Sequence, residues 1–448
     1  MSDAVTPGVA GPRKALSRRG FLGLSVAAAG AGAAACAGMG GGGVQGGDPN
    51  NITFWSNHPG TSKSRELAMI AAFEAAHPGL RVTLVDAGKD YGEVSQKFNA
   101  SLIGGQLPDI VVLSDVWWFN FAINKAITPL DQYFGDAGVR LDDYVDTFVN
   151  DYQFQGKHYA LPYCRSTQIF CYNQDVWAGA GLPQRGPQSW AEFDEWGPKI
   201  QSLMGPNRWA HGWYNATNNL AWTFEGPMWT FGGAYSDGWT LKFTDPATVA
   251  AGNALREMIN VKQYASIRPQ AATDFGTGVI ASAITSTGDL AGINANAKGK
   301  LSFATDFLPH PNGPGCTTGG AGLAIPERIS DERKVNALKF IEFITDTANT
   351  TSFGQATGYI PVRKSAQQDP SEVAFLAKNP NFQTAMNQLP LTKSQDYARV
   401  FLPGADQIIG TGLEQIGLRN QDVHSVMSGV QNQLHGIYTR QIAPKLSE

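Results

Sequence analysis

The residues of this 448-residue chain that could do chemistry are scattered without the spacings of a metal site or an activated nucleophile. The seven histidines, His58, His77, His158, His211, His310, His424 and His435, show neither the H-x-x-x-H nor the H-x-H spacing of a metal site. Cys164, Cys171 and Cys316 have no zinc-ligand spacing, and no G-x-S-x-G elbow occurs. Asp115 and Glu93 could form an acid/base pair, but nothing in the sequence brings them together. No metal, no cofactor and no catalysis are expected. What stands out instead is a stretch dense in aromatics and glycine, with Trp209, Trp213, Trp222, Trp229, Phe231 and Tyr235. Tyr91 and the pair Ser114-Asp115 follow segments that read as strands. Aromatic surfaces of this kind line small-molecule sites, although most such rings belong to cores.

The elements that would position these residues read as alternating strands and helices. Ile52 to Trp55 is a short strand. Met69, Ile70, Phe73 and Ala76 recur at helical spacing until His77-Pro78-Gly79. Leu80, Val82 and Leu84 alternate with polar residues as in a strand. Val94, Phe98 and Leu102 mark a second helix, and Ile110 to Leu113 is a continuous apolar strand. This β-α-β-α-β order predicts a parallel sheet covered by helices. Ligands of such sheets bind beyond the carboxyl ends of the strands, where Tyr91 and Asp115 fall. Asp115 could alternatively cap a helix starting near Trp117. Further on, Gly156 to Pro162 looks like a crossing between lobes, Gln168 to Tyr172 a strand, Asp331 to Thr345 a helix, and Val423 to Ile437 a long amphipathic helix.

The N-terminus reads as an address. Ser17-Arg18-Arg19-Gly20-Phe21-Leu22 has a twin-arginine pattern, followed by an apolar run to Ala35 that is short for a membrane span. Ala33-Ala34-Ala35-Cys36 resembles a lipobox, with Cys36 the residue that would carry lipid, though Ala33 stands where Leu is usual. Residues 1–36 are expected to be the signal and 37–49 a Gly-rich tether. About 400 residues remain, more than one ordinary core, so two lobes are expected. A net charge of −4 gives no basic face for nucleic acid.

Gly105-Gln106-Leu107-Pro108-Asp109-Ile110-Val111 resembles a block of the family 1 extracellular solute-binding proteins of ABC importers. So do Leu161-Pro162-Tyr163, Tyr172-Asn173 through Gly181-Leu182-Pro183 to Ser189-Trp190-Ala191-Glu192-Phe193, Gly319 to Pro326, and Gly358 to Arg363. A narrower resemblance is to mycobacterial glycerophosphocholine-binding lipoproteins of Ugp-type importers. It is carried by Asp86 to Tyr91, Trp117-Trp118-Phe119, Gly232 to Asp237 and Gln395 to Gly404. The resemblance implies an α/β, maltose-binding-protein-like fold of two lobes with a hinge and a ligand cleft between them. The expected bounds are 50–160 with 322–380 for the N-terminal lobe and 161–321 with 381–448 for the C-terminal lobe, with hinge strands near 160, 320 and 385. It also implies a monomer, anchored by lipid on the outer face of the cytoplasmic membrane. ABC permease subunits with a cytoplasmic ATPase would be its partners.

For a glycerophosphodiester, the resemblance places Arg399, Ser166, Ser286, Gly320 and Tyr359 around the phosphate. A guanidinium matches two phosphate oxygens, hydroxyls add donors, and a glycine lets a backbone N–H approach closely. A quaternary ammonium needs aromatic faces and a nearby negative charge, for which Trp222, Tyr91 and Asp115 are the candidates. Asn219, in a segment one residue longer than the mycobacterial pattern, could instead bind glycerol or sugar hydroxyls. Glycerol 3-phosphate is a related ligand. A binder of a maltose- or trehalose-like sugar on the same fold is the alternative, since aromatic faces also stack on sugars. A secreted phosphodiesterase would need the metal ligands or acid/base pair that the spacing does not supply.

Overall fold

The computed structural model describes residues 47–310 and 315–446. The twin-arginine segment, Cys36 and most of the expected tether lie outside these. The described part is one continuous unit built on a ten-stranded mixed sheet flanked by helices.

The first half of the sheet follows the expected order. Asn51–Ser56 pairs in parallel with Arg81–Asp86 on one side and Ile110–Ser114 on the other, with Phe54 opposite both Leu84 and Ile110. The apolar run Ile110 to Leu113 is fully buried because helices cover both faces. Helix Lys63–Ala76 buries Met69, Ile70 and Phe73, the helical stripe of the sequence. Helix Tyr91–Ser101 starts where the Asp90 carboxylate accepts the Glu93 N–H at 2.9 Å.

The second half is organised by Leu161–Asn173, a strand of 13 residues, all buried. Its later part pairs antiparallel with Ser282–Ser286 and Phe303–Asp306, and His211–Tyr214 and Ala265–Arg268 extend the sheet beyond. Its earlier part pairs antiparallel with Cys316–Ala324, which in turn pairs with Ile110–Ser114. These two long strands therefore belong to both halves and carry the chain between the lobes.

Two of the expected hinge positions, near 160 and 320, fall on these strands. The third does not: around 385 the chain is helical, in Pro380–Gln388. Pro380 sits in the first turn, and Asn381 fixes the helix to the sheet by accepting the Thr305 N–H at 3.1 Å. By Asn381 the chain is therefore already on the second half of the sheet, and the short strand Thr392–Lys393 follows, paired in parallel with Cys316–Thr317. Cys164, Cys171 and Cys316 are buried free thiols.

Candidate functional site

A cleft of about 490 Å³ opens between the two halves, and all nine residues singled out from the sequence line it. Tyr91 comes from the start of its helix. Its hydroxyl lies 3.3 Å from that of Tyr359 and 3.4 Å from Cys164 Sγ. The two phenols thus form one polar corner on the first lobe. Burial pushes both phenols well above their ordinary pKa, so they act there as neutral donors.

Asp115 follows strand Ile110–Ser114, and its backbone N–H donates to Gly320 O at 3.1 Å, which fixes it at the floor of the cleft. It does not cap the next helix. Trp118–Ile123 has Trp117 at its cap with no side-chain bond, while Gln395 Nε2 donates to Asp115 Oδ2. Burial raises the Asp115 carboxyl, against the opposing pull of Arg399, Arg165 and the Gln395 hydrogen bond. Glu93 is not its partner; it pairs with Lys89 at 2.8 Å on the surface.

Arg399 stands on the four-residue helix Tyr397–Val400 and is only 4 % exposed. Nη2 is 2.7 Å from Asp406 and Nη1 is 4.0 Å from Asp115. Nε and Nη1 have no hydrogen-bond partner among the described residues. Burial works against the charge, but the Asp406 and Asp115 carboxylates keep the guanidinium protonated. A buried cation with two unpartnered N–H-bearing nitrogens is costly in isolation, and an anion in the cleft would satisfy it.

Ser286 ends strand Ser282–Ser286 and forms a capping box. Its Oγ accepts the Gly288 N–H at 3.1 Å, and its own N–H donates to Asp289 Oδ2 at 3.3 Å. The hydroxyl hydrogen stays available to an anion. Ser166 lies in the long shared strand, opposite Gly319. Trp222 is held by its Nε1 donating to Thr318 O at 2.9 Å, and its ring rests on Gly319, where a Cβ would meet it at 2.6 Å. Asn219, left-handed at φ 67°, leads into helix Leu220–Thr230 with no side-chain cap.

Gly320 has a different reason for being glycine than close approach by a ligand. Its φ is +106°, and a Cβ would lie 2.0 Å from Cys164 O, so the strand crossing itself excludes any other residue.

Two acidic cleft residues, Asp289 and Asp406, escaped the sequence reading, and Gln395, quoted there only within a motif, holds Asp115 from beside the cleft. Asp289 accepts from Tyr214 Oη at 2.7 Å, and burial raises its carboxyl. The Ser286-x-x-Asp289 capping spacing was the signal for it. Gln395 and Asp406 carry no local signal, because their partners Asp115 and Arg399 are set by the fold. With Asp115 and Asp406 beside the Arg399 guanidinium and Asp289 elsewhere on the lining, the cleft offers both an anion site and acidic groups for a cation.

A ligand-sized cleft between two lobes that share their crossing strands defines a solute-binding protein. The chain belongs to the bacterial extracellular solute-binding protein family, whose model matches residues 68–384. Its structure resembles that of UgpB from Mycobacterium tuberculosis in complex with glycerophosphocholine, with a TM-score of 0.85 and 56% identity over 88% of this chain and 99% of that one. It is 27% identical over 367 residues to the sn-glycerol-3-phosphate-binding periplasmic protein UgpB of Escherichia coli K12, covering 76% of this chain and 82% of that protein. The cyclic alpha-maltosyl-1,6-maltose binding protein of Arthrobacter globiformis shares the fold at TM-score 0.73 and 19% identity, covering 87% of this chain and 99% of that one.

Proposed function

We propose that this protein captures glycerophosphocholine or a related glycerophosphodiester for import. The observation that carries the reading is Arg399, buried in the cleft with Nε and Nη1 unpartnered. A neutral sugar would leave that charge poorly met, whereas a phosphodiester accepts from it bidentately. The carboxylates add a second criterion. A dianion such as glycerol 3-phosphate would meet Asp115, Asp289 and Asp406 with repulsion, while a zwitterion brings its own cation to them. The likeness to the mycobacterial protein crystallised with glycerophosphocholine supports the same ligand.

In this reading Arg399, Ser166, Ser286 and Tyr359 hold the phosphate side, with Gly320 shaping the floor beside them. Trp222, Tyr91 and Asp115 receive the trimethylammonium, and Asn219 reaches glycerol hydroxyls from the rim. The lobes comprise the expected spans, with the last crossing before Asn381, whose side chain accepts from Thr305 of the second lobe. Closure delivers both sets of contacts at once, so ligand shifts the population toward the closed form. The protein acts as a monomer that hands its ligand to ABC permeases powered by an ATPase. After twin-arginine export, lipid on Cys36 holds it at the outer face of the membrane.

The test is calorimetric titration of the soluble body, beginning near residue 48, with glycerophosphocholine, glycerol 3-phosphate and maltose in parallel. Saturable binding of glycerophosphocholine tighter than of the other two is expected. Binding of maltose with no response to either phosphate would move the protein to the sugar-binding branch.

A further inference from the structure

Both charged residues that face each other across the cleft are followed closely by a buried ring, and the two rings meet. Asp115 leads into helix Trp118–Ile123, which carries Phe119; Arg399 lies two positions before Phe401. Phe119 and Phe401 stack with centroids 4.3 Å apart and planes at 28°. Trp118 meets Phe401 edge-on at 5.8 Å, and Phe154 meets Phe119 edge-on at 4.9 Å. One ring belongs to the lobe of Asp115 and the other to the segment of Arg399.

The helix that bears Arg399 cannot hold its own geometry, since four residues are far below the length at which a helix is stable alone. On its cleft-distal side it is pinned by Asp396 N donating to Glu225 Oε1 at 2.7 Å and Ala398 N donating to Ser236 Oγ at 2.9 Å. Both pins belong to the same lobe as Arg399. The stack on Phe119 is the apolar tie from this segment to the opposite lobe, beside the polar ones that Ser394 and Gln395 make to Asp151 and Asp115. Neither ring lines the cleft; Phe401 instead borders a smaller cavity of about 150 Å³ together with Asp115, Gln395 and Val400.

The geometry points to Phe119 and Phe401 as a pair of positioning residues that set the Asp115–Arg399 distance, and through it the affinity for an anionic, cation-bearing ligand. This rests on the reading of Arg399 as the anion-binding group. Loosening the stack lets the short helix and the Asp115 turn shift independently, so both ligand contacts weaken without any contact being deleted.

The test compares Phe401→Leu, Phe119→Leu, their double variant, Phe401→Tyr, and Phe73→Leu as a core substitution in the first lobe away from the cleft. Thermal midpoints and glycerophosphocholine dissociation constants are measured for each. We expect each leucine variant to bind about tenfold more weakly, and the double variant no more than the weaker single, as for residues acting as one unit. Phe401→Tyr, which keeps the stack, should stay within about twofold of the wild type, and Phe73→Leu should lose stability alone. Unchanged affinity in Phe401→Leu, or losses that multiply in the double variant, would overturn the pairing. Failure of the wild type to bind glycerophosphocholine would count against the ligand reading. The stack would then be decided by small-angle scattering of the ligand-free variants: a larger radius of gyration than wild type supports it, and an unchanged one overturns it.

Discussion

Arg399 Nη1 faces Asp115 Oδ2 across the cleft at 4.0 Å, but neither closes the pair: Gln395 donates to the aspartate, and Asp406 stands 2.7 Å from the other guanidinium nitrogen. The two groups are close enough for the guanidinium to oppose the upward push of burial on the carboxyl, and far enough apart to leave N–H groups for a third party. That spacing gives the first prediction. Arg399→Ala should weaken glycerophosphocholine binding by about 2–5 kcal/mol, since truncation removes a charged partner from a buried site. Arg399→Lys should recover only part of this, because an ammonium cannot make the bidentate contact. Calorimetry measures both, and wild-type affinity in Arg399→Ala would remove Arg399 from the site.

Trp222 offers a face while its Nε1 is engaged with Thr318 O. Trp222→Ala should therefore cost choline-bearing ligands more than glycerol 3-phosphate, with a difference of about 0.5–2 kcal/mol from the lost cation–π contact. Equal losses for the two ligands would sink the aromatic role.

Glu225 is fully buried, with Oε1 accepting from Asp396 N and Oε2 unpartnered among the described residues. Burial, reinforced by the Asp396 carboxylate, pushes its pKa well above the ordinary 4.5. The folded protein then holds a proton that the unfolded chain has released, so this group's contribution to stability falls as pH rises from the ordinary carboxylate value toward the raised one. Glu225→Gln retains the acceptor and removes the titration. It should stabilise the protein at neutral pH by about 1–2 kcal/mol relative to wild type, with the gain vanishing near pH 4. Denaturant titrations at the two pH values measure this; a gain of the same size at both would show that the proton is not involved.

Cys164 and Cys171 lie on one buried strand, and burial pushes both thiols up to about 12. The thiolate is the reactive species. A soluble body lacking Cys36 should therefore resist a disulfide reagent at pH 8 and release its three thiols only on unfolding. Rapid labelling of the native protein would contradict the burial of these side chains.

The first half of the fold was legible because its signals are local. Ile110 to Leu113 is apolar without interruption, and the stripe Met69, Ile70, Phe73 has helical spacing, so each identifies its element unaided. Leu161–Asn173 was read as two pieces, since Pro162 and the run Arg165 to Gln168 break any apolar pattern. The strand is nevertheless buried throughout, because distant groups satisfy its polar residues. Arg165 pairs with Asp151, Thr167 Oγ1 donates to Thr317 O, and Gln168 donates to Trp222 O. Near 385 a strand was expected where the chain is helical, and the two-residue strand that follows, Thr392–Lys393, exists only by pairing with Cys316–Thr317. In the cleft, the family motifs led to residues that do converge, whereas Asp406 and Gln395 become visible only once Arg399 and Asp115 are in place.

The sharing of Cys316–Ala324 between the halves of the sheet governs how the polypeptide can acquire its shape during synthesis. Ile110–Ser114 gains its antiparallel neighbour only from Ala321 to Ala324, some two hundred positions downstream. A ribosome that has released only the first three hundred residues thus carries a β-α-β-α-β layer with one edge uncovered. Such an edge invites pairing with other chains. The sequence places the strand that shields it late, and the helices after Thr392 later still. Completion of the sheet therefore waits until Ala324 has emerged, and premature termination anywhere before residue 316 leaves the first lobe without its shared strand.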